Sequence, residues 1–276
     1  MLSCRVITKR LIHGLCMIHA LDASLYGHRR VKIRSNDTDV AVLAVSIAPT
    51  LQLDELWISF GSSKQVRYLP ARSIATSLGR EKASVLSIFH ALTGCDTVSF
   101  FSGREKETAW DVWNVFPELT PVLKAMLMLP EDIEDTCLDV TERFVILLFD
   151  RTSSLSKVNE VRQELFSRKA RSLENVPPTQ ASLRQHVKRA VFQGGFVWGQ
   201  TLLKQPTLTS PSRWGWQPES NPWVTHWTTL SQAKDSCYEL IRCGCKAGCR
   251  GRCKCQKANL TCTGLCVFKC EDHIFI

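Results

Sequence analysis

Short apolar segments alternate with amphipathic stretches along the first hundred residues. Residues 15–26 repeat their apolar side chains at the spacing of a helix, and two further helices are predicted at 70–79 and 81–93. Strands are predicted at residues 31–34, 56–60 and 65–69, and the last two are joined by a turn at Gly61-Ser62-Ser63. The apolar residues 40–48 fit either a buried helix or a buried strand. Strands that alternate with helices predict an α/β sheet domain.

The pattern becomes helical from residue 106 and stays so up to residue 192. Residues 151–192 carry nine Lys and Arg against three Glu and contain the pair Pro177-Pro178, which indicates a solvated helical connector. Residues 205–223 contain four prolines together with Trp214 and Trp216, which predicts an irregular linker. The tryptophans at 214–227 could stack nucleic-acid bases, but packing between domains is the preferred interpretation.

Composition narrows the class of protein. Hydrophobic residues make up 44% of the 276 residues and charged residues 22%, which excludes pervasive disorder. The longest uninterrupted apolar run, at residues 144–149, is far shorter than the roughly 20 residues that cross a bilayer, so no membrane partner is expected. The net charge is +9, and residues 237–270 hold seven Lys or Arg, one Glu and nine of the 13 cysteines. This basic, cysteine-dense tail is the most informative segment of the chain.

The cysteines could form disulfides outside the cell or bind metal inside it. A secretory signal needs an uninterrupted apolar segment, whereas Lys9, Arg10, His13 and His19 interrupt the apolar residues near the N terminus. A mitochondrial presequence is the alternative, since residues 1–21 are basic and contain no acid. The sequence therefore predicts an intracellular, reduced protein whose clustered thiols bind zinc.

Eight tail cysteines follow the spacing C-x-C-x3-C-x3-C-x-C-x6-C-x3-C-x3-C. They are Cys243, Cys245, Cys249, Cys253, Cys255, Cys262, Cys266 and Cys270. The stretch CGCKAGCRGRCKCQKANLTCTGLC resembles the tesmin-type CXC domain, and the resemblance covers roughly residues 241–270. It implies that these cysteines hold zinc and that the module binds DNA. The basic residues expected to contact DNA phosphates are Lys246, Arg250, Arg252, Lys254 and Lys257.

The tail departs from the family pattern at its last ligands. The family finishes C-x-C-x2-C and holds three zinc ions with nine cysteines, whereas Cys266 is followed by Phe268 and then Cys270 here. Three tetrahedral zinc ions need twelve metal–ligand bonds, and eight thiolates of which three bridge two ions supply eleven. The twelfth ligand would be His273, Cys237 or water. Two zinc ions need eight bonds and no bridging, so two or three zinc ions are expected.

Three segments of the first half carry a second resemblance: RSNDTDVAVL at 34–43, FHALTGCD at 89–96 and SFFSGREKETAW at 99–110. They resemble flap endonucleases and related PIN-type nucleases, and the pairing with a CXC tail resembles uncharacterised, mobile-element-like animal proteins. The resemblance implies a PIN-like α/β sheet flanked by helices. It also implies a Mg²⁺ or Mn²⁺ site for phosphodiester hydrolysis at Asp37, Asp39 and Asp96. Alternatively, Asp37 and Asp39 cap a helix and Asp96 lies in a turn.

Other acids of this nuclease site are missing. The family carries a glutamate-rich E-E-A-D-type segment on the preceding helix, which reads KRLIHGLCMIHALDAS here. The codons GAA GAG GCT GAT ACA CGG T encode the acidic motif, and one base later they read AAG AGG CTG ATA CAC GGT, which encodes residues 9–14. Residues 1–14 are therefore interpreted as an out-of-frame segment. In addition, the family has a helix-hairpin-helix motif directly after its third acid, and Gly103 and Ala109 match its spacing. Glu105 stands where the loop of this motif presents a second glycine to a DNA phosphate.

These observations predict four segments in the chain. They are an out-of-frame stretch at 1–14, a PIN-like domain at 15–150, a helical connector and linker at 151–230, and a CXC-like zinc module at 231–276. The expected protein is nuclear, binds DNA through its zinc-folded tail and is not an enzyme. The alternative is an active metal-dependent nuclease acting on DNA or RNA, if the acidic motif really precedes residue 15.

Overall fold

A computed structural model describes residues 2–62, 65–128, 131–167, 175–207, 209–218 and 223–228, together with Cys245, Cys255 and Cys266. For residues 2–12 and Ser62 it describes the backbone alone. The protein is a mixed α/β structure, as the sequence predicts at this level.

The first half of the chain builds a small sheet flanked by helices. Its elements are α1 (Leu2–Leu25), β1 (Arg30–Arg34), α2 (Thr38–Ile47), β2 (Glu55–Ser62), β3 (Gln65–Pro70), α3 (Ala71–Ser84) and α4 (Leu86–Leu92), with a 3-10 turn at Ala48–Thr50. Strand β1 pairs in parallel with β2, which pairs antiparallel with β3. Because parallel neighbours need a crossover connection, the chain returns to the sheet through α2. The three predicted strands are confirmed.

The apolar stretch at 40–48 forms a helix. Val40, Leu43 and Ala44 are buried in α2 at the i, i+3, i+4 spacing of one helix face. The predicted helix end at Gly79 is a break inside α3, where Gly79 has φ 78° and ψ 156°.

The β2–β3 hairpin requires glycine close to its turn, where Gly61 pairs with Val66. Gly61 has φ 117°, and a Cβ atom built on it would lie 2.1 Å from the carbonyl oxygen of Gln65. No other residue type fits both this backbone angle and this close approach.

The second half of the chain is helical, as predicted. It contains α5 (Lys106–Val115), α6 (Leu119–Leu127), α7 (Asp135–Phe149), α8 (Val158–Ser167) and α9 (Gln180–Val191), a π-helical turn at Phe192–Val197, a 3-10 turn at Pro211–Arg213, and the strand pair β4 (Trp216–Pro218) and β5 (Trp223–Thr225). Helix α7 supplies Phe144, which is fully buried beside Phe89 of α4. Phe89 in turn stacks on Trp113 of α5 with ring centroids 4.2 Å apart. These rings join the sheet side of the molecule to the helical side.

Helix α9 is packed rather than solvated, which corrects the interpretation of residues 151–192 as a solvated surface. It buries Leu183, His186 and Val187, and the π-helical turn that follows it lies against α4. A Cβ atom on Gly194 in this turn would lie 2.6 Å from the Cα atom of Ile88, so the two backbones touch. One hydrophobic cluster includes buried residues from both sides of residue 150.

The aromatic residues near 214–227 serve mainly in packing. Trp214 and Trp216 are buried, and the ring of Trp214 lies 4.9 Å from that of Phe196. Trp227 is 78% exposed. Within the described residues, no helix is both long and apolar enough to cross a membrane.

Candidate functional site

Two aspartates lie where β1 ends and α2 begins. Asp37 occupies the N-cap position of α2 in an extended conformation, with φ −97° and ψ 123°. Its Oδ1 accepts a hydrogen bond from the backbone N–H of Asp39 at 2.9 Å, and its own N–H donates to Ser35 Oγ at 3.1 Å. The capping alternative is thus confirmed for Asp37. A carboxylate also suits the positive end of the helix dipole.

A histidine from α1 lies against the second oxygen of Asp37. The Nε2 atom of His13 is 2.9 Å from Asp37 Oδ2. His13 is only 3% exposed, whereas the Asp37 side chain is about a third exposed, at 34%. Solvent therefore reaches this pair from the Asp37 side.

A second histidine binds Asp39 in the interior. The Nε2 atom of His90 in α4 lies 2.9 Å from Asp39 Oδ1, and both residues are buried, at 6% exposure each. A buried carboxylate needs such a partner because burial without one would cost several kcal/mol. The Asp39–His90 bond therefore fixes the orientation of the Asp39 carboxylate.

His13 and the carboxylates of both Asp–His pairs form one group. One potential ligand atom from each of His13, Asp37 and Asp39 lies within 4.8 Å of the others. Among the described residues, this is the one group of three or more such side chains, and Asp96 is not a member of it. Asp96 lies exposed in the bend after α4. The structure thus brings together two of the three acids predicted for a metal site, and it adds His13.

Lys106 lies next to this group at the start of α5. Its ammonium Nζ donates to the backbone oxygen of His90 and to Thr93 Oγ1, both at 3.0 Å. Although Lys106 as a whole is exposed, burial of the ammonium group lowers its pKa to about 8, and nearby Cys95 and Asp39 partly oppose this shift. Lys106 therefore supplies a positive charge close to His90 and Asp39.

Cys95 lies in the same neighbourhood but is unsuited to nucleophilic chemistry. Its Sγ is 3.5 Å from Thr97 Oγ1, whose hydroxyl donates to Gln193 Oε1 at 2.8 Å. Burial raises the pKa of the Cys95 thiol above its usual value, and the Asp39 carboxylate adds to the shift. Because the thiolate is the reactive form, this thiol is held in its unreactive state at neutral pH.

The loop of the predicted hairpin motif precedes α5. Gly103 has φ 64°, and Ala109 is buried in α5. Glu105 is the N-cap residue of α5 and its side chain makes no capping hydrogen bond. Its carboxylate is exposed at the loop surface, where the motif would present a glycine backbone to a phosphate.

The structure describes two neighbouring cysteines of the tail. The Sγ atoms of Cys255 and Cys266 are 3.5 Å apart, and both residues are buried. This separation exceeds a disulfide bond of about 2.05 Å. It is close to the roughly 3.8 Å between two thiolates on one tetrahedral zinc ion, for zinc–sulfur bonds of about 2.3 Å.

The other predicted tail residues lie outside the described residues. These are Cys243, Cys249, Cys253, Cys262, Cys270, Lys246, Arg250, Arg252, Lys254 and Lys257. Cys245 is described, and it is partly buried.

Comparison with known proteins returns nothing for this chain. No protein-family model, no curated protein and no solved structure matches it.

The sequence suggests His90 and Cys95 as a weak candidate for thiol chemistry, with a helix end and a buried position preferred, but it does not connect His13, His90 or Lys106 to the aspartates. His90 lies inside the FHALTGCD segment and Lys106 inside SFFSGREKETAW, so both stretches already held the residues concerned. His13 lies in the stretch interpreted as out of frame, which α1 includes as part of a continuous helix. No local signal connects these residues to the D-x-D pair, because their proximity arises only when the helices pack together.

Proposed function

We propose that this protein is a zinc-dependent DNA-binding protein whose α/β region is a nuclease-like scaffold without nuclease activity. The observation that carries the proposal is the basic eight-cysteine tail, in which the thiols of Cys255 and Cys266 lie 3.5 Å apart. Cysteines 11 residues apart come this close when they share a ligand or a compact core.

Zinc supplies the folding free energy that the tail sequence lacks. Between residues 241 and 270 the large apolar residues are Ile241, Leu260, Leu265, Val267 and Phe268. So few apolar side chains cannot offset the conformational entropy of 30 residues, whereas metal–thiolate bonds can. Two or three zinc ions fit the ligand count.

DNA is the partner that suits the charge of the folded tail. Seven Lys or Arg against one Glu give +6 between residues 237 and 270. A compact surface of that charge releases counterions from the phosphate backbone, and this release favours binding to any DNA sequence.

The carboxylates of the α/β region argue against two-metal hydrolysis. Two-metal catalysis needs carboxylates that clamp two ions about 4 Å apart. Here Asp37 caps α2 and contacts His13, and Asp39 is bonded to His90. Two carboxylates with these protein partners offer too few oxygen ligands for a pair of Mg²⁺ ions.

The DNA-binding proposal is tested on the full chain by fluorescence anisotropy with duplex DNA at several salt concentrations. We expect binding that weakens steeply with salt. The triple variant Arg250→Gln, Arg252→Gln and Lys254→Gln should reduce the salt slope by about 0.9 for each phosphate that is no longer neutralised. A matched control removes the same charge from the α/β and helical parts: Arg30→Gln, Arg151→Gln and Lys204→Gln, whose side chains are largely exposed. Equal weakening in the two triple variants would reject the tail as the binding surface.

The inactivity of the α/β region is tested with a nuclease assay in Mg²⁺ or Mn²⁺. The chain should show no cleavage above the triple variant Asp37→Asn, Asp39→Asn and Asp96→Asn. Cleavage by the unmodified chain that Asp37→Asn abolishes would establish the alternative, an active nuclease. Genomic DNA that encodes the Glu-Glu-Ala-Asp motif in place of residues 9–14 would favour the same alternative.

A further inference from the structure

The His13/Asp37/Asp39 group combines an imidazole nitrogen with two carboxylates at one partly exposed position. The three side chains come from α1, from the end of β1 and from the first turn of α2. We propose that they bind one divalent transition-metal ion of the Zn²⁺ and Co²⁺ class. This site is separate from the zinc tail and does not depend on the function proposed for that tail.

The spacing of the ligand atoms fits a single ion. Two ligands that each lie about 2.1 Å from an ion, at an angle of about 90°, are about 3.0 Å apart. His13 Nε2 and Asp37 Oδ2 are 2.9 Å apart, and the Asp39 oxygen completes a triangle with no side above 4.8 Å. A modest closure of the longer sides brings all three atoms onto one ion.

The neighbouring hydrogen bonds already hold both carboxylates in place. Asp37 Oδ1 accepts from the Asp39 backbone, and this bond turns Oδ2 towards His13. His90 holds Asp39 through Oδ1, and a carboxylate can accept from several partners at once. Metal sites rely on such outer partners to orient their ligands, and loss of one typically weakens binding by about 10–100-fold.

The ligand types decide which ions are preferred. Mg²⁺ requires near-ideal octahedral oxygen ligands and releases water reluctantly. An imidazole nitrogen favours Zn²⁺, Co²⁺, Ni²⁺ or Cu²⁺ over Mg²⁺ and Ca²⁺. His13 therefore makes a transition-metal ion the expected occupant of this group.

The local charge also favours a cation. Two carboxylates lie within this group, and the ammonium of Lys106 lies close to Asp39 and His90. Lys106 binds the backbone of His90 and the hydroxyl of Thr93, so it does not occupy the position between Asp37 and Asp39. The competing arrangement is a pair of hydrogen-bonded Asp–His partners without metal, and it predicts no ion binding here.

The experiment counts metal ions in the full chain after Zn²⁺ has been bound to the soft tail thiolates and the more weakly bound Zn²⁺ has been removed, so that the His13/Asp37/Asp39 group starts empty. Co²⁺ is added, and native mass spectrometry and calorimetry report how many Co²⁺ ions bind in addition and how tightly. We expect one additional Co²⁺ that a large excess of Mg²⁺ does not displace. Both His13→Gln and Asp37→Asn should weaken its binding more than tenfold.

The variants are chosen so that misfolding cannot imitate the result. Asparagine is as good an N-cap residue as aspartate, so Asp37→Asn removes the charged ligand and keeps the cap. His19→Gln is the matched control, since His19 is exposed on the same helix and lies outside the group. It should bind Co²⁺ like the unmodified chain. Failure of the unmodified chain to bind an additional ion would overturn the proposal, as would equal binding by His13→Gln and His19→Gln.

Discussion

We expect the α/β region and the cysteine tail to be held together by different interactions. In the α/β region, buried apolar residues such as Leu43, Ile58 and Met17 fix the helices and the sheet, and the Asp–His pairs then follow from where those elements lie. In the tail, the sequence offers eight thiols and few large apolar residues. Apolar packing determines the structure of the α/β region, whereas we expect metal ligands to determine the structure of the tail.

Each region should therefore resist a different perturbation. Apolar burial contributes about 25 cal/mol per Å² and does not depend on metal, so the α/β region should remain folded in a chelator. The tail sequence has few large apolar residues, so we expect zinc binding to supply its folding free energy. The two regions should unfold under different conditions.

The largest expected effect comes from removing tail ligands. Cys255→Ser together with Cys266→Ser should reduce the zinc content of the full chain and abolish its salt-dependent DNA binding. Structural zinc sites contribute on the order of 10 kcal/mol to the folding of such modules, so removing two thiolates leaves little of the fold. Native mass spectrometry measures the zinc content, and anisotropy measures DNA binding.

The control for this variant is a cysteine of the packed region, by which we mean the α/β and helical parts of the chain that share one hydrophobic cluster. Cys137→Ser on α7 leaves all eight tail thiols in place and should keep the zinc content unchanged. Equal zinc content in the Cys255→Ser/Cys266→Ser variant and the unmodified chain would contradict the proposal that the tail folds by binding zinc.

A core substitution should produce the opposite pattern. Phe144→Ala deletes a fully buried ring that lies 6.3 Å from Phe89. Such a deletion costs about 3–5 kcal/mol, because the transfer free energy is lost and a cavity remains. Denaturant unfolding of the full chain in a chelator should show this loss, while zinc content in the absence of chelator stays the same.

Exposed Phe100 on the loop after α4 supplies the matched comparison. Phe100→Ala removes the same ring from a side chain that is 71% exposed, so it should change the free energy of unfolding by much less. A similar loss of stability in both variants would mean that burial does not stabilise this region as described.

Local patterns predicted much of the fold. The strands β1, β2 and β3 were predictable because their apolar residues and turns are read within a few residues of each other. The N-cap role of Asp37 was predictable as an alternative for the same reason. The helix at 40–48 was ambiguous, since a short apolar run looks alike in both element types.

The pairing of distant side chains could not be read from the sequence. His13 and Asp37 are separated by 24 positions, and His90 and Asp39 by 51. Nothing in a local pattern fixes which of several histidines reaches which carboxylate, because the packing of α1 and α4 against α2 decides it. The burial of α9 was missed for a related reason. Its basic residues suggested a solvated face, but Leu183, Val187 and Val191 form a separate apolar stripe.

The smallest of the expected effects concerns pH and a histidine of the packed region. His186 in α9 is buried, its Nε2–H donates to the Leu92 backbone oxygen at 2.8 Å, and its Nδ1 lies 3.3 Å from Ser99 Oγ. Burial, together with the charge of Arg189, lowers the pKa of His186 to about 4, although the hydrogen bond to Leu92 partly opposes this shift. The folded protein therefore holds this imidazole neutral at pH values where the unfolded chain already binds a proton.

The sign of the pH dependence follows from that difference. Between pH 6.5 and about 4 the unfolded chain binds more protons than the folded chain, so the free energy of unfolding falls as the pH falls. At about 1.36 kcal/mol per pKa unit, the full effect is on the order of 3 kcal/mol. Acid should also release zinc from the thiolates of the proposed zinc module, so we expect both regions to weaken at low pH. His186→Gln separates the two causes, because glutamine can still donate to Leu92 but does not titrate.

Denaturant unfolding in a chelator should show a flatter pH profile for His186→Gln than for the unmodified chain. His226→Gln, at an exposed histidine, should leave the profile unchanged. Identical profiles for the two variants would show that His186 does not carry the acid sensitivity of the packed region.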